Sequence, residues 1–153
     1  MNAILLSSDR VRKQLYGVSP LHRVTEAEKA QLYSTNMNQN VYKTLLAQAN
    51  QIVSLGFNVI VDATFLQYKH RVPFYELCHT PNNTPIFSGV IYLKTPIKLA
   101  TLAIQSRQQQ NNNPSDANVS VMLKQRQYLE PPTSSENVET VRFTKTAVCG
   151  LLA

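Results

Sequence analysis

Residues 58–65 read "NVIVDATF", and this stretch decides the fold. Val59, Ile60 and Val61 run without alternation into Asp62, followed by small Ala63 and Thr64. An unbroken β-branched run predicts a strand buried on both faces, as in a parallel sheet. A carboxylate leaving such a strand lies at the carboxyl edge of the sheet, where open α/β folds bind ligands.

Outward from this strand, helices and strands alternate. Ile4 to Ser7 predicts a short buried strand, followed by "SSDRVRKQLYG", which begins a helix that Gly17 and Pro20 stop. Thr25 with Glu28 three residues later is a capping-box pattern opening a short helix. A longer helix is expected from about Met37 to Leu55. Val41, Leu45, Ala49, Ile52 and Val53 recur at helical spacing, and Gly56 is the stop. A helical stretch around Phe74 and Leu77 leads to a strand from Ile86 to Leu93. Thr95 and Pro96 read as cap and first residue of the next helix, and the polar run Gln108 to Asn113 as a mobile loop ending it. A further helix from "SDANVSVMLKQRQYL" and a last strand "VETVRF" complete the chain. This alternation predicts a three-layer α/β sandwich with a mainly parallel sheet, built as a single domain over residues 1–153.

Composition narrows the classes. With 43% hydrophobic and 16% charged residues, the 153-residue chain is globular and long enough for a core. Its apolar runs are too short for a signal peptide or a membrane span, so a cytoplasmic setting is expected. Cys78 and Cys149 have no zinc spacing, and Cys78 next to His79 has no matching second pair. The net charge of +6 is compatible with phosphorylated ligands or nucleic acid, but only Arg10, Arg12 and Lys13 cluster. Tyr33, Tyr42 and Tyr75 are available to stack on bases or, more simply, to pack on helix faces. The Asn82 and Asn118 glycosylation patterns carry no weight without a secretory signal.

Three constellations carry chemistry. In "SSDRVRKQLYG", Asp9 can accept a proton from a hydroxyl while Arg10 and Arg12 hold an anionic substrate. The competing reading makes Asp9 a helix cap, and spacing alone favours the cap. In "VIVDAT", Asp62 can serve a magnesium ion directly or through water, with Thr64 beside the cofactor; the competing reading is a strand-end turn. In "SRQQQNNNPSDANVSVMLKQRQYLEP", Arg107 can supply positive charge to a transferring group, or simply offset the helix dipole.

In this order the three pieces resemble the P-loop kinase group: AAA-type ATP-binding kinases, zeta-toxin-like and polynucleotide-kinase-like proteins. They are especially similar to the ATP-binding half of bifunctional aminoglycoside phosphotransferase/ATP-binding proteins. The resemblance runs from about residue 4 to residue 136, and its most specific block is "NVYKTLLAQANQIVSLGFNVIVDATFLQYKHR", with Arg71 after "DATF". It implies ATP and Mg²⁺ as cofactors and a small-molecule or nucleotide phosphate acceptor. Asp9 becomes the carboxylate that activates the acceptor hydroxyl, Arg12 a substrate-side arginine, Asp62 the magnesium-side carboxylate and Arg107 a lid arginine. The stretch Gln108 to Gln110 stands where such lids offer a further arginine.

One departure is large. The phosphate loop GxxxxGK[ST], or Walker A loop, is absent: Gly17, Gly56, Gly89 and Gly150 are isolated. The chain is therefore expected to be truncated at its N-terminus relative to the family, to lack an interior first strand, and to be inactive as a kinase by itself. An interior strand's loss exposes backbone edges, which remaining strands can close or a partner chain can fill. A non-catalytic nucleotide- or nucleic-acid-binding module, or an interaction subunit, is the alternative function.

Overall fold

The computed structural model describes residues 3–77, 89–110 and 113–142. Strand β1 (Ala3–Ser7) leads into helix α1 (Ser8–Tyr16), followed by α2 (Glu26–Leu32) and α3 (Thr35–Ser54). Strand β2 (Asn58–Asp62) precedes α4 (Tyr68–Tyr75). Strand β3 (Val90–Lys94), α5 (Ile97–Gln110), α6 (Val119–Arg126), the 3₁₀ turn Ser134–Glu136 and β4 (Val138–Arg142) follow. The strand expected from Ile86 begins at Val90; residues 86–88, Phe143, Cys78, His79, Cys149 and the Asn82 pattern lie outside the described residues. Gln108 to Gln110, expected in a loop, continue α5.

The helices form where local chemistry dictates. Thr25 and Glu28 close the capping box of α2, and the Ser34 side chain accepts from the Met37 amide to start α3. Along α3, Val41, Leu45, Ala49 and Val53 form one buried stripe. Val41 and Leu45 pack with Val11 of α1, and Leu6, Val61, Ala63 and Phe74 close round them. This small core fastens α1 and α3 onto the β1–β2 pair. Gly17 and Gly56 end α1 and α3 at φ of +84° and +82°, a left-handed geometry that glycine adopts without steric cost.

The described strands pair in parallel, as the "NVIV" run predicts, but two sheets form where one was expected. β2 alternates exposed and half-buried residues and β1 exposes Ile4 and Leu5, where strands buried on both faces were expected. β1 pairs with β2 from Ala3↔Asn58 to Ser7↔Asp62, and β3 pairs with β4 from Val90↔Val138 to Lys94↔Arg142. Among the described residues no ladder joins the two pairs. Both carry bare apolar side chains: Leu5 is 63% exposed and Ile60 52%, Ile91 68% and Leu93 53%. Parallel strands ordinarily have both faces covered. No helix among the described residues is long and apolar enough to cross a membrane.

Side chains do what no ladder does. Arg71 of α4 and Glu136 of the 3₁₀ turn are both buried, with Arg71 Nε 2.6 Å from Glu136 Oε2 and Nη2 3.1 Å from Oε1. Arg71 Nη1 donates to the carbonyls of Phe65 at 2.7 Å and Glu130 at 3.1 Å. The Tyr75 hydroxyl and the Thr133 amide donate to the same carboxylate. Two further bonds run alongside: Glu130 N–H to the Leu66 carbonyl at 2.8 Å, and Tyr68 N–H to the Glu130 side-chain Oε2 at 2.7 Å. The loop after β2 is thereby bound to the segment that enters β4. Burial opposes the Arg71 charge, but Glu136 outweighs it and raises the Arg71 pKa; Arg71 in turn holds Glu136 down at about 2.

Removing one partner of such a pair strands the other, at a cost of about 3–5 kcal/mol. Glu136→Leu is expected to lower the unfolding free energy in urea by that amount. Glu136 has a depressed folded pKa, so its contribution is complete above the ordinary value of 4.5 and fades as pH falls toward 2. The urea midpoint of the wild type should fall through that window, and that of the variant should fall less.

Candidate active site at the carboxyl edge of the first strand pair

The register that aligns Ser7 with Asp62 brings both strand ends to one edge. Helix α1 starts at Ser8, so Asp9 lies in its first turn beside that edge. Asp9 is not the helix cap that spacing favours. Ser7 holds the cap position in extended conformation and forms no side-chain cap bond, because the strand continues up to the helix.

Asp62 is open to solvent on its outer side, yet its pKa is raised. Protein packed behind the carboxylate removes part of its hydration, and the like charge of Asp9 adds to the effect. Arg107, in the last turn of α5, opposes the rise. Two other residues anticipated from sequence, Asp9 and Arg107, therefore both act electrostatically on Asp62. Arg107 Nη2 donates to Ala117 O at 3.3 Å, while its Nε is buried without a hydrogen-bond partner.

The loop after Asp62 is held in a demanding shape. Phe65 has φ of +42°, in the left-handed region that a bulky residue rarely occupies. Its amide donates to the Tyr42 hydroxyl at 3.1 Å and its carbonyl accepts from Arg71. Thr64 Oγ1 lies 3.4 Å from the same Tyr42 hydroxyl, so Thr64 stays beside Asp62. The Tyr42 ring stacks on His70 with centroids 4.3 Å apart, and Phe65 meets Phe74 edge-on at 5.1 Å. Burial, with Lys69 nearby, lowers the His70 pKa. Tyr42 and Phe65 are the residues that sequence reasoning missed as supports of the site. The φ of Phe65 left no mark in the sequence, because no glycine or asparagine stands there.

The basic cluster separates. Arg10 is exposed on α1. Arg12 is buried: Nη1 donates to Leu32 O at 2.7 Å and Asn38 Oδ1 at 2.8 Å, and its guanidinium lies 4.9 Å from the Tyr33 ring centre. Burial lowers the Arg12 pKa against the pull of Asp9. Tyr33 is pushed up to about 12 by burial and by Asp9. Arg12 thus faces inward at the base of α1, and of the two arginines only Arg10 reaches outward. Tyr75 is likewise engaged, with Glu136.

For a divalent cation, the Asp9–Asp62 edge offers two carboxylates, which suits a magnesium ion that keeps most of its waters. Among the described residues no group of three or more His, Cys, Asp or Glu forms a closed metal cage. A phosphate cradle does not fit the glycines described in detail, since Gly17 and Gly56 serve as helix stops.

The raised pKa of Asp62 predicts a sign. A carboxyl that binds its proton more tightly when folded weakens the fold as pH rises past its ordinary value of 3.8. Asp62→Asn should therefore raise Tm at pH 7, and the gain should vanish in acid, where Asp62 is protonated in both states. Tyr42→Phe, which removes the partner of the Phe65 amide, should lower stability by about 1 kcal/mol in urea unfolding.

Comparison with known proteins agrees with this architecture. The crystal structure of a gluconokinase from Sinorhizobium meliloti 1021 is similar over 98% of this chain and 73% of its own, at 14% identity and a TM-score of 0.50. At that identity the likeness bears on the fold: a mixed α/β arrangement of the P-loop kinase type. No curated protein matches the chain. A family model described as "AAA domain" matches residues 1–132 of the 153. The chain belongs to that AAA-domain family, within the P-loop kinase group.

Proposed function

We propose that the chain is a phosphotransferase domain that moves the γ-phosphoryl group of ATP to a hydroxyl of a small molecule or nucleotide. The observation that carries this reading is the Ser7↔Asp62 register, which sets Asp9 and Asp62 at one edge with the charge of Arg107 acting on it. Asp9 accepts the proton of the acceptor hydroxyl, and Arg107 offsets negative charge on the transferring group. Asp62 faces magnesium, directly or through water, with Thr64 on the cofactor side. Arg10, exposed on α1, meets an anionic acceptor, and Arg12 supports the site from behind. A cytoplasmic setting follows from the same reading.

These 153 residues contain no GxxxxGK[ST] sequence. By themselves they are proposed to bind Mg·ATP with a Kd weaker than about 1 mM and to turn over little, since no nested amides and lysine hold the β- and γ-phosphates. Calorimetry with Mg·ATP tests the first point; micromolar binding would contradict it. Joining the chain behind a strand and phosphate loop from a family member should give ATP-dependent transfer. In that fusion Asp9→Ala should lower kcat by roughly 10²–10⁴. A fusion that remains inert, or in which Asp9→Ala changes nothing, would sink the catalytic reading.

A second reading rests on the two separate strand pairs. Leu5, Ile60, Ile91 and Leu93 are exposed on strands of a kind normally covered, which favours an interaction subunit whose partner contributes a strand. Size-exclusion at two concentrations distinguishes it: concentration-dependent assembly supports it and an invariant monomer opposes it. A nucleic-acid role has less support, because Arg12 and Lys13 of the basic cluster are buried.

A further inference from the structure

We propose that Asp116 is a positioning residue: it clamps the segment Asn113–Asn118 onto α1 through Lys13 and Arg23, and so sets the direction of Arg107. The inference rests on the proposed role of Arg107 at the Asp9–Asp62 edge, and concerns a residue that the sequence did not single out.

The clamp is built from buried charge. The Asp116 side chain is 4% exposed, and its Oδ2 lies 2.7 Å from Nζ of Lys13, itself 1% exposed. Arg23 Nη1 approaches Asp116 Oδ1 at 3.3 Å and the Ser115 carbonyl at 3.1 Å. Lys13 Nζ also donates to the carbonyl of His22, so the ammonium meets two protein oxygens. A buried ion pair contributes little net stability over an apolar contact of equal size, but removing one partner strands the other charge, so the paired arrangement is strongly preferred to a broken one. That preference suits a part whose orientation matters.

The grip passes to Arg107 within one residue. Ala117 follows Asp116, and its carbonyl accepts from Arg107 Nη2 at 3.3 Å. It is the hydrogen-bond acceptor found for that guanidinium among the described residues, while Nε is buried and unpaired. Where Ala117 sits therefore decides where Arg107 points. Beyond it, Asn118 caps α6 through the Val121 amide, fixing the far end of the segment. On the other side the clamp holds Lys13, four residues after Asp9 and so one helical turn along the same helix. One carboxylate thus references both the proposed base and the proposed transfer-group arginine to a common frame.

The test uses the 153-residue chain and needs no nucleotide, so it stands or falls separately from the kinase reading. Amide hydrogen exchange and the Arg107 Nε–H resonance are followed by NMR in wild type, Asp116→Asn and Arg23→Gln. In Asp116→Asn, the Ser115 and Ala117 amides should exchange faster by about tenfold or more, with β1 and β2 unchanged. The Arg107 Nε–H signal should move toward that of a free arginine. Arg23→Gln, which removes the more exposed of the two cations, should shift the Arg107 signal the same way by less. An Arg107 signal that stays in place in either folded variant would overturn the proposal. So would equal loss of protection in β1 and β2, which would make Asp116 a support of the whole fold. If Asp116→Asn fails to fold, the Arg23→Gln spectrum alone decides.

Discussion

The buried pair of Arg71 and Glu136 is the constraint on which the arrangement of this chain depends. Among the described residues the two pairs of parallel strands share no backbone ladder, so much of the cohesion a continuous sheet would provide comes from side chains, beside one backbone bond from Glu130 to Leu66. Arg71 is suited to this because its planar fork reaches a carboxylate and two carbonyls at once. A lysine would offer a point charge and lose the bidentate geometry. The pair also reaches the site: the carbonyl that Arg71 grips belongs to Phe65, three residues past Asp62.

That connection explains why a bulky residue tolerates a left-handed backbone there. The Phe65 amide is held by Tyr42 from the core helix α3, and its carbonyl by Arg71 from α4. With both polar ends fixed and the ring against Phe74, the local strain is supported from outside the loop. Asp62 at the start of that loop and Asp9 in the first turn of α1 are brought to one edge by the Ser7↔Asp62 register, and the like charge of Asp9 contributes to the raised Asp62 pKa. A cation between them would relieve the repulsion, which is the physical link between the fold and the proposed magnesium role.

What could be read from the sequence was what is local within it. The run ending at Asp62 announced a parallel strand, Thr25 and Glu28 their capping box, and the Val41–Leu45–Ala49–Val53 spacing the core helix; each depends on neighbours a few residues away. The separation of the described strands into two pairs was not legible, because pairing joins residues about fifty positions apart and no local pattern marks which strands meet. Arg12 misled because its burial is decided by Leu32 and Asn38, 20 and 26 residues distant. Asp9 misled in a smaller way: helix-cap preference favours aspartate, but helix α1 starts at Ser8 and its cap position falls on Ser7, two residues before Asp9. Asp116 stood in a polar stretch with nothing to mark it, since Arg23 lies 93 positions away.

The central claim is that Asp9, Asp62 and Arg107 belong to one site, and manganese titration followed by NMR tests it most directly. Mn²⁺ can replace Mg²⁺ at oxygen ligands and broadens nearby resonances. The account predicts that the amides of Ser8–Arg10 and Asp62–Thr64 and the Arg107 side chain broaden first and together, and that Asp62→Asn abolishes the effect. Broadening that begins elsewhere, or that strikes the Asp9 and Asp62 stretches at different manganese concentrations, would contradict it.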